Sequence, residues 1–244
     1  MPAQERPSLA GRVVLVAGAY GGLGKEASLA CAEAGASVIL LGRKLPKLNR
    51  VYDAIIKEGG RALLYPLDLE GATPDDYAEL AGRIESQLGR LDGLLYCAAE
   101  FAGLTPLQNT DPAVFARALH VNVTARWWLT QACLPLLRRA EDAAVVYPID
   151  DEAGCPAQAY WGGYGVSQAA TVALIEMLHA ELANSRVRVS GLAPGPMRTP
   201  LRARAQVEEN AGQAEEASIC AQDCLTLLSS AGAAQRGRVW SPRQ

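Results

Sequence analysis

An α/β fold built on a parallel, doubly wound sheet of about seven strands is predicted by three observations. Short apolar runs alternate with helical patterns along the whole chain. A glycine turn joins the first apolar run to the first helix. No internal repeat or low-complexity linker divides the 244 residues, so 1–244 reads as a single domain. Continuous rather than alternating apolar strands are those of a sheet covered on both faces.

The elements follow in order. Val13 to Ala17 reads as the first strand and 23–34 as its helix, stopped by Gly35. Ser37 to Leu41 is the second strand, followed by a helix over 46–58 that ends at Gly59-Gly60. Residues 61–67 form a third strand ending at Asp68. Thr73-Pro74-Asp75-Asp76 is a helix start, with an N-cap, a proline in the first turn and acids near the positive dipole end. That helix runs to Gly89, and Leu91 to Cys97 is the fourth strand. A long helix is expected over 112–138, bent or interrupted near Pro135. Ala143 to Tyr147, a helix over 158–183, Val187 to Leu192, a helix over 214–230 and a short strand at Val239-Trp240 complete the chain.

Half of the residues are hydrophobic and the formal net charge is −3. This mild acidity gives no reason to expect nucleic acid or an anionic membrane as partner. The first seven residues carry no apolar leader, and no apolar stretch reaches membrane-spanning length, so a soluble cytoplasmic protein is expected. Six scattered cysteines without a Cys-x-x-Cys pair, and only two histidines, read as free thiols in a reducing compartment rather than a zinc site. Cys220 and Cys224, one helical turn apart, are expected on one packed face.

The functional residues are sought just after strands, because ligands of such sheets bind beyond the strands' carboxyl ends at the switch point. Gly18, Gly22 and Gly24 have the spacing Gly-x-x-x-Gly-x-Gly between the first strand and its helix. Without Cβ atoms the backbone can approach a pyrophosphate, and the helix start adds unpaired N–H donors and a positive dipole end. Tyr20 and Leu23 belong to the same turn. Arg43 and Lys44 follow the second strand, where an arginine favours the 2′-phosphate of NADP(H) over NAD(H). Asp68, after the third strand, either accepts a hydrogen bond from adenine or caps its own loop.

Asn122, Tyr164 with Gln168 four residues on, and the Pro-Gly-x-x-x-Thr run from Pro194 to Thr199 complete a set that resembles the short-chain dehydrogenase/reductase family over nearly the whole chain. The resemblance implies a Rossmann-type fold and an NAD(P)-dependent oxidoreductase acting on small carbonyl or alcohol substrates. It assigns Gly18 to Gly24 to the pyrophosphate, Arg43 to the ribose phosphate, Asp68 to the adenine, Ala98 to the cofactor wall, and Pro194, Gly195 and Thr199 to the nicotinamide carboxamide. Tyr164 becomes the general acid or base, and Asn122 holds a backbone kink and a proton-relay water. Residues 197–216 correspond to the substrate lid.

The active-site pattern departs from the family at three positions. Its lysine four residues after the tyrosine is Gln168 here. A charge ~5 Å away at an effective dielectric of ~20 is worth about 3 kcal/mol, or roughly two pKa units. Without it Tyr164 is expected to titrate near the ordinary phenol value of about 10, an acid rather than a base at neutral pH. The family's serine about thirteen residues before the tyrosine is Asp151, or Asp150 with a slip of one; an ionised aspartate cannot donate to a substrate oxygen and pushes the phenol's pKa up. The family's Asn-Ala-Gly after the fourth strand is Cys97-Ala98-Ala99. The sequence therefore supports an NADP(H)-binding reductase of weak or altered activity, with a non-catalytic dinucleotide sensor or interaction scaffold as the alternative. A third reading makes Asp151 the base of an isomerase or lyase with Tyr164 as acid. The resemblance also implies a homodimer or tetramer, with Trp127-Trp128 and Leu174, Ile175 and Leu178 expected at an apolar interface, or else both tryptophans in the core, and His179 exposed or at that interface.

Overall fold

The computed structural model describes residues 7–150, 158–206 and 214–243. One seven-stranded sheet has the order β3-β2-β1-β4-β5-β6-β7. The strands are β1 (Val13–Ala17), β2 (Ser37–Gly42), β3 (Arg61–Pro66), β4 (Gly93–Tyr96), β5 (Ala143–Pro148), β6 (Val187–Leu192) and β7 (Val239–Trp240). Every neighbouring pair is parallel. The order reverses between β1 and β4, where the connections leave in opposite directions and a crevice opens.

The helices are α1 (Gly22–Glu33), α2 (Leu45–Lys57), α3 (Pro74–Leu88), α4 (Pro112–Leu119), α5 (Ala125–Arg139), α6 (Gly162–Glu181), the short α7 (Arg202–Ala205) and α8 (Ala217–Leu228). One core lies under α3, α5 and α6, with Leu15, Leu94 and Val145 from the sheet meeting Leu80, Leu129 and Ile175. The other lies under α1, α2 and α8, with Val16, Leu40 and Val146 meeting Ala27, Leu48 and Leu228. Adjacent strand residues feed opposite cores, which is why the strands are apolar throughout. Cys220 and Cys224 do share a buried face of α8. Among the described residues no helix is long and apolar enough to cross a membrane.

Several expectations change. The long helix is interrupted at a π-helical turn, His120–Thr124, and runs unbroken through Pro135 in α5. Pro135 and Gln131, whose carbonyl the proline leaves without an amide donor, are both exposed, so water meets the loss. The π turn has its own cause, described below. Leu174, Ile175 and Leu178 belong to the core, while the large exposed apolar residues of α6 are Val166 and Met177. The tryptophans divide: Trp128 packs edge-on to His120 and against Tyr77, whereas Trp127 is 43% exposed. His179 is neither exposed nor near the crevice; its ring fills the space beside Gly237, where a Cβ would come within 2.3 Å of it.

The amino-terminal edge of the sheet is held by two carboxylates. Asp92, 1% exposed, accepts from the Val13 amide at 2.8 Å and from the Arg90 guanidinium at 2.9 and 2.7 Å. Asp142 accepts from Arg12 at 2.5 Å and from Arg188 at 2.9 and 3.1 Å. The same two arginines reach the α8 carbonyls of Leu228 and Leu227. Desolvation raises the Asp142 pKa, but the hydrogen bonds and charges of Arg188 and Arg12 outweigh it and hold the carboxyl below its ordinary value. A depressed folded-state pKa stabilises above the unfolded value and is lost as pH falls through the folded one. Asp142→Asn is therefore expected to cost about 2 kcal/mol at pH 7 by chemical denaturation, with the deficit closing below the ordinary carboxylate range.

Candidate active site

The crevice at the switch point has two connected halves, with about 1120 and 830 Å³ of open space. Gly22, Cys97, Ala98, Ala99, Thr199 and Leu201 line both, so the two form one channel.

The outer half begins at the glycine turn. Gly18 has φ +81°, and a Cβ there would lie 2.6 Å from the Ala98 amide nitrogen. A Cβ on Gly24 would meet the Gly18 carbonyl at 2.2 Å. The turn is thus as tight as its spacing implies, and Ala98 forms the wall opposite. Helix α1 starts at Gly22, beside Leu23, with no side-chain cap, leaving its first-turn donors for a ligand. Thr199 packs directly over Gly22, where a Cβ would come within 2.5 Å of its methyl carbon. At the far end Arg43 is hydrogen-bonded to Tyr20, and Lys47 lies 5.6 Å from the Tyr20 ring centroid. Burial works against the Arg43 charge, but the Tyr20 hydroxyl and Asp68 raise its pKa above the ordinary value. Lys44 does not line the crevice; Lys47, one turn into α2, takes its place. The sequence could have pointed to it, since positions 43 and 47 are a turn apart. Asp68 faces the same space and also caps its own turn, accepting from the Glu70 amide at 3.2 Å. The unpaired donors, the glycines and the cationic end suit a phosphorylated dinucleotide.

The inner half is lined by Tyr164, Gln168, Arg126, Asp150, Pro194, Gly195 and Met197, among others. Asn122 lies in the π turn, fully buried. Its side chain accepts from the Glu100 amide at 2.7 Å and donates to the Glu100 carbonyl and the Ser167 hydroxyl, both at 3.0 Å. Those three bonds tie the π turn to the loop after β4 and to α6, and they account for a helix break at Asn122 rather than at Pro135. Tyr164, 5% exposed, packs against Phe101 and Trp161. Its hydroxyl donates to Asp150 Oδ2 at 3.2 Å. Asp150 is therefore the carboxylate at the tyrosine; Asp151, the first choice by spacing, lies outside the described residues. The Gln168 side-chain carbonyl accepts from the Asp150 amide at 3.1 Å, so it fixes the loop after β5.

Burial, then the Asp150 charge and hydrogen bond, hold the Tyr164 pKa well above the ordinary phenol value, with Arg126 acting in the opposite direction. The expectation of a phenol near its usual value is corrected by both effects: the sequence could not show the depth of burial, and it offered Asp151 or Asp150 without fixing the contact. Arg126 was not foreseen at all. It is 2% exposed, with Cζ 4.8 and 5.2 Å from the Tyr96 and Tyr147 ring centroids. An arginine on an apolar helix reads in sequence as surface charge, and only the packing reveals it as interior. Nearby Cys97 is half-buried, and desolvation raises its thiol pKa, which makes it a poor nucleophile.

Replacing Asn122 by alanine leaves the Glu100 amide and Ser167 hydroxyl without their partner. The expected loss is about 2 kcal/mol in chemical denaturation.

Comparison with known proteins agrees with this geometry. Residues 12–210 match the family model described as short chain dehydrogenase. The uncharacterized oxidoreductase YciK of Escherichia coli K12 is 38% identical over 195 residues, 80% of this chain and 77% of that protein. A short chain dehydrogenase of Salmonella enterica serovar Typhi superposes with a TM-score of 0.95 at 32% identity, over 99% of this chain and 100% of that one. A chain from Escherichia coli CFT073, solved as a short chain dehydrogenase in complex with NADPH, superposes with a TM-score of 0.94 at 33% identity, over 99% of this chain and 100% of that one. By sequence and fold together, the chain belongs to the short-chain dehydrogenase family.

Proposed function

We propose that the protein is an NADP(H)-dependent reductase of small carbonyl compounds in which Tyr164 is the proton donor. The observation that carries this reading is the single channel running from the Arg43, Lys47 and Tyr20 cluster, past the uncapped start of α1, to the Tyr164 hydroxyl. The NADPH complex of a close structural relative supports the same occupant. NADPH bound in that channel would supply a hydride to the carbonyl carbon; Arg43 and Lys47 would hold its 2′-phosphate, the glycine turn and first-turn amides its pyrophosphate, and Pro194 to Thr199 its nicotinamide end.

Tyr164 gives the matching proton to the carbonyl oxygen. Its raised pKa keeps the phenol protonated through neutral and mildly alkaline pH, so the chain is set up for reduction rather than for proton abstraction from an alcohol. The substrate oxygen has to compete with Asp150 for that proton, because the phenol already donates to a carboxylate. A serine there would donate to the developing oxyanion; the carboxylate repels it. Turnover is accordingly expected to be slow compared with a site carrying serine.

Two measurements test the reading. NADPH titration followed by tryptophan fluorescence should show binding stronger than for NADH, and Arg43→Ala should weaken NADPH about tenfold or more while leaving NADH nearly unchanged. Failure to bind NADPH at millimolar concentration overturns the proposal. In a panel of carbonyl compounds, Tyr164→Phe should abolish NADPH oxidation and Asp150→Ser should raise it, with no loss of wild-type rate between pH 6 and 9 attributable to the phenol. NADPH binding without turnover in either the wild type or Asp150→Ser would favour the dinucleotide-sensing alternative.

A further inference from the structure

The π turn and α5 that follows it meet α6 through two side-chain pairs spaced one turn apart. Asn122 donates to Ser167 at 3.0 Å, and Arg126 Nη1 donates to the Thr171 hydroxyl at 2.7 Å. Thr171 passes a bond on to the Ser167 carbonyl, and Ser167 to the Tyr164 carbonyl. Tyr164, Gln168 and Thr171 stand at i, i+4 and i+7, so they share one face of α6, the face that Arg126 meets. Arg126 and Gln168 line the same inner pocket. The guanidinium is clamped between the Tyr96 and Tyr147 rings, whose hydroxyls are themselves anchored, Tyr96 to the Val121 carbonyl at 2.7 Å and Tyr147 to Thr130 at 2.6 Å.

Among the described residues no carboxylate pairs with Arg126, and its Nε is buried without a hydrogen-bond partner. Ring faces offset part of the cost of such a charge, but a fully buried guanidinium ordinarily has an anion. The anion this pocket produces is the one left on Tyr164 when its proton goes to a substrate oxygen. In the family pattern a lysine at position 168 would face that charge; here Gln168 is neutral, and the cation stands on the neighbouring helix.

We propose that Arg126 is the positioning cation of this active site, taking over from the helix α5 side the charge that a lysine at position 168 would have supplied. Its role is to stabilise the Tyr164 phenolate formed by proton transfer, and the proton itself still passes from the Tyr164 hydroxyl to the carbonyl oxygen. The inference rests on Tyr164 being the proton donor proposed above. The mutual electrostatic influence of Arg126 and Tyr164, each acting on the other's ionisation, agrees with it. It also gives position 168 a reason to be uncharged, because a lysine there would be forced beside a cation already in place.

The test reads the phenol directly and needs no turnover. 3,5-Difluorotyrosine placed at position 164 brings the ionisation into an accessible range and reports it by fluorine NMR across a pH titration. Arg126→Gln and Arg126→Met should each raise the midpoint by about one to two pH units. Arg126→Lys should keep it close to the starting value, and adding Gln168→Lys to either neutral variant should bring it back down. Thr171→Val, which removes a hydrogen bond but no charge, should leave it nearly unchanged. Thermal melts monitor folding, and the two neutral variants guard against collapse of one. A midpoint that stays put in the folded neutral variants, or that moves as far with Thr171→Val, overturns the inference. Turnover separates it from the reading it rests on: a wild type that reduces no carbonyl fails that reading, whereas an active wild type whose kcat is unaffected by Arg126→Gln fails this one.

Discussion

The arrangement of the site depends on the side-by-side registry of α5 and α6. Asn122 and Arg126 on one side, and Ser167 and Thr171 on the other, advance together by one turn, and each pair is bonded. That registry sets where Tyr164 stands relative to the loop after β4, because Asn122 holds both Glu100 backbone groups at the same time. The π turn carries this junction: the Asn122 side chain within it satisfies three partners on two other elements. A helix defect therefore marks the position of greatest constraint.

The charges around Tyr164 come from two different elements. The negative group on its hydroxyl side is Asp150, the positive group on the opposite helix is Arg126, and Gln168 between them serves as a hydrogen-bond acceptor for the backbone. Each looks like a defect when compared with a single position in a motif. Taken together they leave a protonated phenol with a carboxylate beside it and a buried cation facing the same pocket. Burial and the adjacent carboxylate keep a phenol so placed protonated over the physiological range.

Much of the architecture was legible from period and punctuation. Continuous apolar runs gave the strands, Gly35, Gly59 and Gly89 marked helix ends, and Thr73 to Asp76 marked a helix start, where the structure adds a capping box. The glycine turn, Arg43, Asp68 and the Pro194 to Thr199 run were legible because each follows a strand and therefore reaches one edge of the sheet. What could not be read involved burial or contact across elements. Arg126 has the composition of a surface residue, Pro135 the signature of a kink, and Leu174, Ile175 and Leu178 the pattern of either a core or an interface. Only packing decides among these, and helix periodicity says which residues share a face without saying what that face meets.

The two edges of the sheet are built on different principles. At the amino-terminal edge Asp92 and Asp142 gather Arg12, Arg90, Arg188, strand amides and the end of α8 into ionic knots. At the carboxyl edge the pocket is walled largely by loops and by side chains facing open space. The fold thus carries its fastening on one side and its chemistry on the other. A substitution at Tyr164, Asp150 or Gln168 touches none of those knots, so whatever it disturbs around the pocket leaves the fastening of the opposite edge in place.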